Sequence, residues 1–164
     1  MRVLGVDPGT ATTGYGLVEE DAEGLRALAF GVISTPPEQA LPRRLQTIYR
    51  ELLALARQWQ PHAAAVEELF FSSNARTAMS VGQARGVALL ALADAGLEVA
   101  EYSPLAVKQA LTGYGKADKR QMQEMTRLLL GLAEIPRPDD AADALAVAVC
   151  HLHSARLRML EEQS

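Results

Sequence analysis

The chain has 164 residues, of which 49% are apolar and 22% are charged, and its net charge at pH 7 is −4. These values predict one ordinary globular domain over residues 1–164. The single cysteine, Cys150, excludes an internal disulfide, and no apolar run is long enough to cross a membrane. We therefore expect a soluble protein of the reducing cytoplasm.

The first half of the chain changes from a strand pattern to a helix pattern. Three runs typical of β-strands come first, at residues 2–7, 13–19 and 25–34. Short connections rich in turn residues join them, which predicts an antiparallel meander. Apolar residues then recur at the spacing of an amphipathic helix over residues 42–59, which Pro61 ends. The segment "AAAVEEL" that follows predicts a short strand buried on both faces.

The second half is mainly helical. A helix is predicted for residues 75–95, where Gly82 and Gly86 lie on one face and would allow another helix or strand to approach closely. The remaining predicted elements are a strand at residues 97–102, a helix that Pro104 opens, a helix over residues 119–132 and a last helix at about 141–160. The order β-β-β-α-β-α-β-α-α-α predicts a mixed sheet with helices packed on its faces.

The negative net charge taken alone argues against a nucleic-acid binder, but the charge is unevenly distributed. Residues 104–130 contain five cations and two acids, which gives this segment a local net charge of +3. Binding to a polyanion depends on such a local surface more than on the charge of the whole chain. A solvated helix face explains the same residues equally well. The cations are Lys108, Lys116, Lys119, Arg120 and Arg127.

Four acidic residues stand near predicted strand ends or a helix start. Asp7 ends the first strand, and Glu67 lies late in an otherwise apolar strand. If these two strands are parallel and adjacent, both side chains emerge at the carboxyl edge, where open α/β sheets bind their ligands. Asp140 and Asp143 share one face of the first turn of the last helix, which could bring them over the same edge.

Four converging carboxylates would repel one another and raise their pKa values unless a cation neutralises them. Mg²⁺ or Mn²⁺ prefers such oxygen ligands, and two ions about 4 Å apart stabilise the attacking and leaving oxygens of phosphodiester cleavage. Each aspartate also has a simpler explanation. Asp7 could be a turn residue, Asp139 or Asp140 a helix N-cap, and Asp143 a favourable charge in the first helical turn. Their joint placement with Glu67 favours metal binding.

Five sequence blocks, in the same order and with similar gaps, resemble the RuvC-type Holliday junction resolvases. They are "LGVDPGTATTGYG", "VEELFF", "GQARGVA", "VKQALTGYGKADK" and "DDAADALAVAV". The resemblance implies an α/β, RNase H-like fold: a five-stranded mixed sheet with the first three strands antiparallel, flanked by helices on both faces. It also implies a homodimer that nicks two opposing strands of a four-way DNA junction in recombination and repair, in partnership with a branch-migration motor.

The resemblance also implies the residues of the active site. By position, the catalytic and metal-binding tetrad is Asp7, Glu67, Asp140 and Asp143, holding Mg²⁺ or Mn²⁺. The closing motif separates its two acids by two residues, which selects Asp140 over Asp139. On this assignment Asp139 is a neighbour of the tetrad or the cap of the helix.

The DNA-contacting residues follow from the same blocks. Lys108 and Lys119 match lysines that contact DNA in the family, and Phe70 matches an aromatic that meets a base near the cleavage point. Stacking of an unpaired base on an aromatic ring typically contributes about 1–3 kcal/mol, which would favour a distorted junction over plain duplex. Lys116 and Phe71 receive no role.

Other functions account for parts of the pattern. An ATP-binding lobe of the actin and sugar-kinase type also has an Asp and glycine-rich turn after its first strand. It normally needs two lobes, and it leaves Glu67 and the later aspartates without a joint role. A nuclease of the same fold acting on RNA precursors and a catalytically silent junction-binding module are further alternatives. The tetrad argues against the silent module, and "CHLH" at residues 150–153 is a weak zinc motif because only Cys150 and His153 share a helix face.

Overall fold

A computed structural model describes residues 1–68 and 74–163 of the chain. Within these residues the strands are Arg2–Asp7 (β1), Thr12–Asp21 (β2), Gly24–Ser34 (β3), Ala63–Glu67 (β4) and Glu98–Tyr102 (β5). The helices are Leu41–Trp59 (α1), Ala75–Asp94 (α2), Pro104–Thr112 (α3), Lys119–Leu129 (α4) and Asp139–Glu162 (α5). The predicted order of elements is confirmed, with shifts of a few residues at the ends.

The strands form one mixed sheet in the order β3-β2-β1-β4-β5. The first three strands are antiparallel, as the short connections between them predicted. β4 is parallel both to β1 and to β5. Parallel strands need a crossover connection, and here the helices α1 and α2 precede β4 and β5 respectively. The condition under which Asp7 and Glu67 share one edge, that their strands are parallel and adjacent, is therefore met.

Helices cover both faces of this sheet, because side chains of one strand point alternately to opposite sides. Val3 of β1 belongs to an apolar cluster with residues of α3 and α5. Its neighbour Leu4 belongs to a second cluster, with α1 and α2. The predicted fold class, with helices on both faces, is confirmed. In the part of the chain that the structure describes, the helices lack the length and apolar character needed to span a membrane.

α5 lies unusually close to the centre of the sheet, because glycines face it. A Cβ atom added to Gly14 of β2 would overlap the backbone carbonyl of Asp140, and one added to Gly5 would overlap the carbonyl of Ala144. The backbone of α5 therefore packs directly against β1 and β2. Gly86 of α2 differs, since a Cβ there would meet open space among the described residues. The close approach predicted at Gly86 is not made by any part of the chain that the structure describes.

The "CHLH" segment lies within α5 and packs on α3. The Cys150 thiol is buried 3.8 Å from the carbonyl oxygen of Ala106, and Nδ1 of His153 lies 3.1 Å from that of Ala110. Both side chains thus hold α5 against α3, which accounts for the segment without zinc.

Candidate functional site

The carboxyl edge of the two central parallel strands carries two of the predicted acids side by side. Val6 pairs with Val66, and each strand then has one more residue, Asp7 in β1 and Glu67 in β4. On its other side Asp7 pairs with Gly14. The parallel register alone is enough to place these two carboxyl groups at one edge of the sheet.

The start of α5 brings the other two predicted acids to the same edge. Gly14 contacts the Asp140 backbone closely, so the first turn of α5 lies directly beside Asp7. One carboxylate oxygen from each of Asp7, Asp140 and Asp143 lies within 4.8 Å of the other two. These three half-buried residues could hold a metal ion. Glu67 is outside this three-carboxylate group, although it interacts electrostatically with Asp7 and Asp143.

Burial and charge repulsion raise the pKa values of Asp7, Glu67 and Asp143. Burial raises the pKa of Asp7 to about 8, helped by the charges of the other three acids and a hydrogen bond with Asp140. Burial and then Asp143 raise the pKa of Glu67 to about 7, against the opposing effect of Lys108. Burial also raises the pKa of Asp143, which the charge of Lys119 partly offsets. The arrangement is thus unfavourable while its charges are unneutralised, as expected of a site for a cation.

A cavity of about 190 Å³ opens next to these acids. Its lining includes the acids Glu67 and Asp143 together with two lysines, Lys108 of α3 and Lys119 of α4. Cations beside carboxylates in an open cavity suit a ligand that carries negative charge and needs a metal to approach the acids. The other lining residues are Pro104, Val107, Met122 and Ala146.

Three residues singled out in the sequence lie apart from this cavity or outside the described residues. Phe70 and Phe71 fall between the two described segments, so the predicted contact of Phe70 with a base has no structural description. Lys116 is exposed in the loop between α3 and α4.

Asp139 has a role that the sequence did not reveal. The N-cap of α5 is Pro138, without a side-chain capping bond, so of the two alternatives for Asp139 the helix cap is wrong and a neighbour of the tetrad remains. Its carboxylate instead accepts hydrogen bonds from Lys119 Nζ at 2.8 Å and from Gln123 Nε2 at 3.0 Å. In the sequence, the four-residue spacing predicts that Lys119 and Gln123 share one face of a helix. It does not predict that Asp139 is the residue that both of them contact.

The raised pKa of Asp7 predicts how stability depends on pH without divalent ions. Between the unfolded pKa of 3.8 and the folded value of about 8, the folded state binds more protons, so stability falls as pH rises. We expect the melting temperature in chelator to fall as pH rises from about 5 to about 8, and to fall less steeply in Asp7→Asn, which has the same histidines. Circular dichroism melts check this. Identical slopes for the two proteins would contradict it.

Comparison with known proteins extends over nearly the whole chain. Residues 3–151 match the family model described as "Crossover junction endodeoxyribonuclease RuvC". A protein of that name from Syntrophomonas wolfei is 56% identical over 164 residues, covering 100% of this chain and 95% of the relative. One from Chloroflexus aggregans is 62% identical over 155 residues, covering 94% of each chain.

A solved structure of another protein has the same fold along nearly the whole chain. The structure described as Thermus thermophilus RuvC in complex with Holliday junction substrate superposes with a TM-score of 0.91 at 41% identity. The superposition covers 96% of both chains. The similarity therefore includes the strands and helices that carry the acids, and not the sheet alone.

Proposed function

This chain belongs to the crossover junction endodeoxyribonuclease RuvC family, and from that membership we propose that it resolves four-way (Holliday) DNA junctions by paired symmetric nicks. As a member of the family it is an endodeoxyribonuclease, which hydrolyses phosphodiester bonds. The observation that carries the proposal for this chain is the convergence of acids from β1, β4 and α5 beside a lysine-lined cavity. The likeness to the relative described with a Holliday junction substrate supports the choice of DNA.

The residues present suit a hard divalent cation. Three carboxylate oxygens lie within 4.8 Å of one another, and the raised pKa values of Asp7 and Asp143 reflect repulsion and burial that a cation would relieve. We assign Asp7, Asp140 and Asp143, with Glu67 as a fourth ligand, to two Mg²⁺ or Mn²⁺ ions. When bound, such ions stabilise the attacking and leaving oxygens of the phosphodiester.

The two lysines of the cavity are assigned to DNA. Lys108 and Lys119 line the same cavity as two of the carboxylates, so a phosphate bound over the acids would meet positive charge. Each phosphate contact also releases counterions from the DNA, which makes binding depend on salt. Phe70 is assigned to a base near the cut, on the family resemblance alone.

Two symmetric nicks require two sites, and we assign the second to another copy of the chain. α2 offers a surface for this: Met79 and Leu90 are 69% and 55% exposed, and Gly86 lies on the same helical face with open space around it. A second copy could approach closely at Gly86. By kinship the homodimer would work with a branch-migration motor on DNA in the cytoplasm.

The test of this function is to map the cuts in a mobile four-way junction. We expect the purified chain with Mg²⁺ or Mn²⁺ to nick two opposing strands at symmetric positions near the branch point, and to leave the matched linear duplex uncut. Labelling each of the four strands in turn and separating the products on denaturing gels gives the positions. Equal cutting of duplex and junction, or no cutting with either metal, would overturn the proposal.

A further inference from the structure

The carboxylate of Asp139 joins α5 to α4 through two separate contacts. One oxygen accepts from Lys119 Nζ at 2.8 Å, and the other accepts from Gln123 Nε2 at 3.0 Å. Lys119 and Gln123 are four residues apart and share one face of α4. The amide fixes the plane of the carboxylate, and the carboxylate then fixes the position of the ammonium group.

This pair is a poor candidate for a stabilising interaction. The side chains of Lys119 and Asp139 are 60% and 59% exposed, and exposed ion pairs contribute little to folding because water and salt screen them. Asp139 is also outside the three-carboxylate group, and both of its oxygens are already engaged. Neither folding stability nor metal binding therefore explains the ion pair of Lys119 and Asp139.

The position of Lys119 suggests what the pair does. Its side chain lines the cavity together with Glu67 and Asp143, and its charge acts on the Asp143 carboxyl. The flexible four-carbon stem of a lysine has many rotamers, so an exposed lysine seldom keeps its ammonium group in one position. The Asp139 carboxylate, which contacts the ammonium group from the start of α5, restricts that freedom before any ligand arrives.

We propose that Asp139 is a positioning residue that, with Gln123, holds the Lys119 ammonium group at the edge of the cavity where the phosphate to be cut will lie. The inference rests on the proposed function, because it gives Lys119 a phosphate of the junction as its target. In this role Asp139 acts on the phosphate through Lys119 and makes no contact with the DNA itself.

The proposal predicts opposite effects on cleavage and on binding. Without the Asp139 carboxylate the Lys119 ammonium group occupies several positions, and small misplacements at a reacting centre slow the chemical step. Losing the negative charge of Asp139 also removes repulsion of the DNA, which favours binding. Cleavage should therefore slow while affinity stays the same or improves. A residue that merely supported the fold would weaken both.

The experiment compares Asp139→Asn with a matched control, Glu134→Gln. Glu134 is a nearby exposed acid with no ion pair in the described part of the chain, so its replacement removes the same charge without freeing a lysine. We expect single-turnover nicking of the junction by Asp139→Asn to be about 3- to 30-fold slower than wild type. We expect its Kd, measured without metal, to be within about twofold of wild type or tighter. The control should match wild type in both.

A double-mutant cycle tests whether Asp139 acts through Lys119. Lys119→Ala alone should slow nicking, weaken binding and flatten its salt dependence, and adding Asp139→Asn should slow it no further. Asp139→Glu, which keeps the negative charge, should nick the junction faster than Asp139→Asn and more slowly than wild type. The proposal would be overturned if Asp139→Asn nicked the junction as fast as Glu134→Gln does. It would also be overturned if Asp139→Asn slowed nicking as much in the Lys119→Ala protein as it does in wild type. Wild type that leaves the junction uncut would overturn the proposed function itself, and this inference with it.

Discussion

We expect Asp7→Asn to reduce metal-dependent nicking of a four-way junction by about a thousandfold while junction affinity stays within about threefold of wild type. Asp7 contributes one of the three clustered oxygens, and the charges of the other three acids all raise its pKa. Asparagine keeps the shape of the side chain but removes the charge that a cation requires. Binding should survive because the lysines of the cavity are untouched.

The measurement is single-turnover cleavage of a labelled junction in Mg²⁺ and in Mn²⁺, with affinity measured separately in chelator. Glu134→Gln is the control for removal of an acid elsewhere on the surface, and it should cut at the wild-type rate. In chelator, Asp7→Asn should melt at a higher temperature than wild type, because it removes the buried repulsion that raises the pKa of Asp7. Wild-type cleavage by Asp7→Asn would exclude Asp7 from the metal centre.

The sequence predicted the elements that carry Asp7 and Glu67 because local patterns encode them. The apolar run before Asp7, the turn residues after it and the apolar "AAAVEEL" each have the period of a strand. Parallel pairing of those strands then places both acids at one edge whatever the details of packing. Helix starts and ends followed in the same way from Pro42, Pro61 and Gly96.

The sequence did not predict what depends on contacts between distant segments. Asp139 has the same local pattern as a helix cap, and only the position of α4 reveals that Lys119 and Gln123 occupy its oxygens. Gly14 has the same local pattern as any turn-proximal glycine, whereas its importance lies in the α5 backbone that packs on it. Glu67 was expected to converge with the three aspartates, and it lies at the same edge of the sheet but outside the group of oxygens that are within 4.8 Å of one another.

Gly14→Ala is the second substitution with a large expected effect. The added methyl group would overlap the backbone carbonyl of Asp140, and a backbone atom cannot turn aside as a side chain can. The first turn of α5 must then move away from the sheet and carry Asp140 and Asp143 away from Asp7. We expect nicking to fall by about a hundredfold and the free energy of unfolding by about 1–3 kcal/mol.

Gly31→Ala is the matched control for Gly14→Ala, because it makes the same change in the neighbouring strand. There the three atoms nearest to the new methyl group all belong to the ring end of Tyr15, a side chain that can shift, and none belongs to the backbone of α5. Gly31→Ala should keep nicking within about twofold of wild type. Denaturant unfolding and single-turnover cleavage of both variants give the two quantities. If Gly14→Ala cut as fast as Gly31→Ala, close packing of α5 on β2 would not be what positions the acids, and their convergence would need another cause.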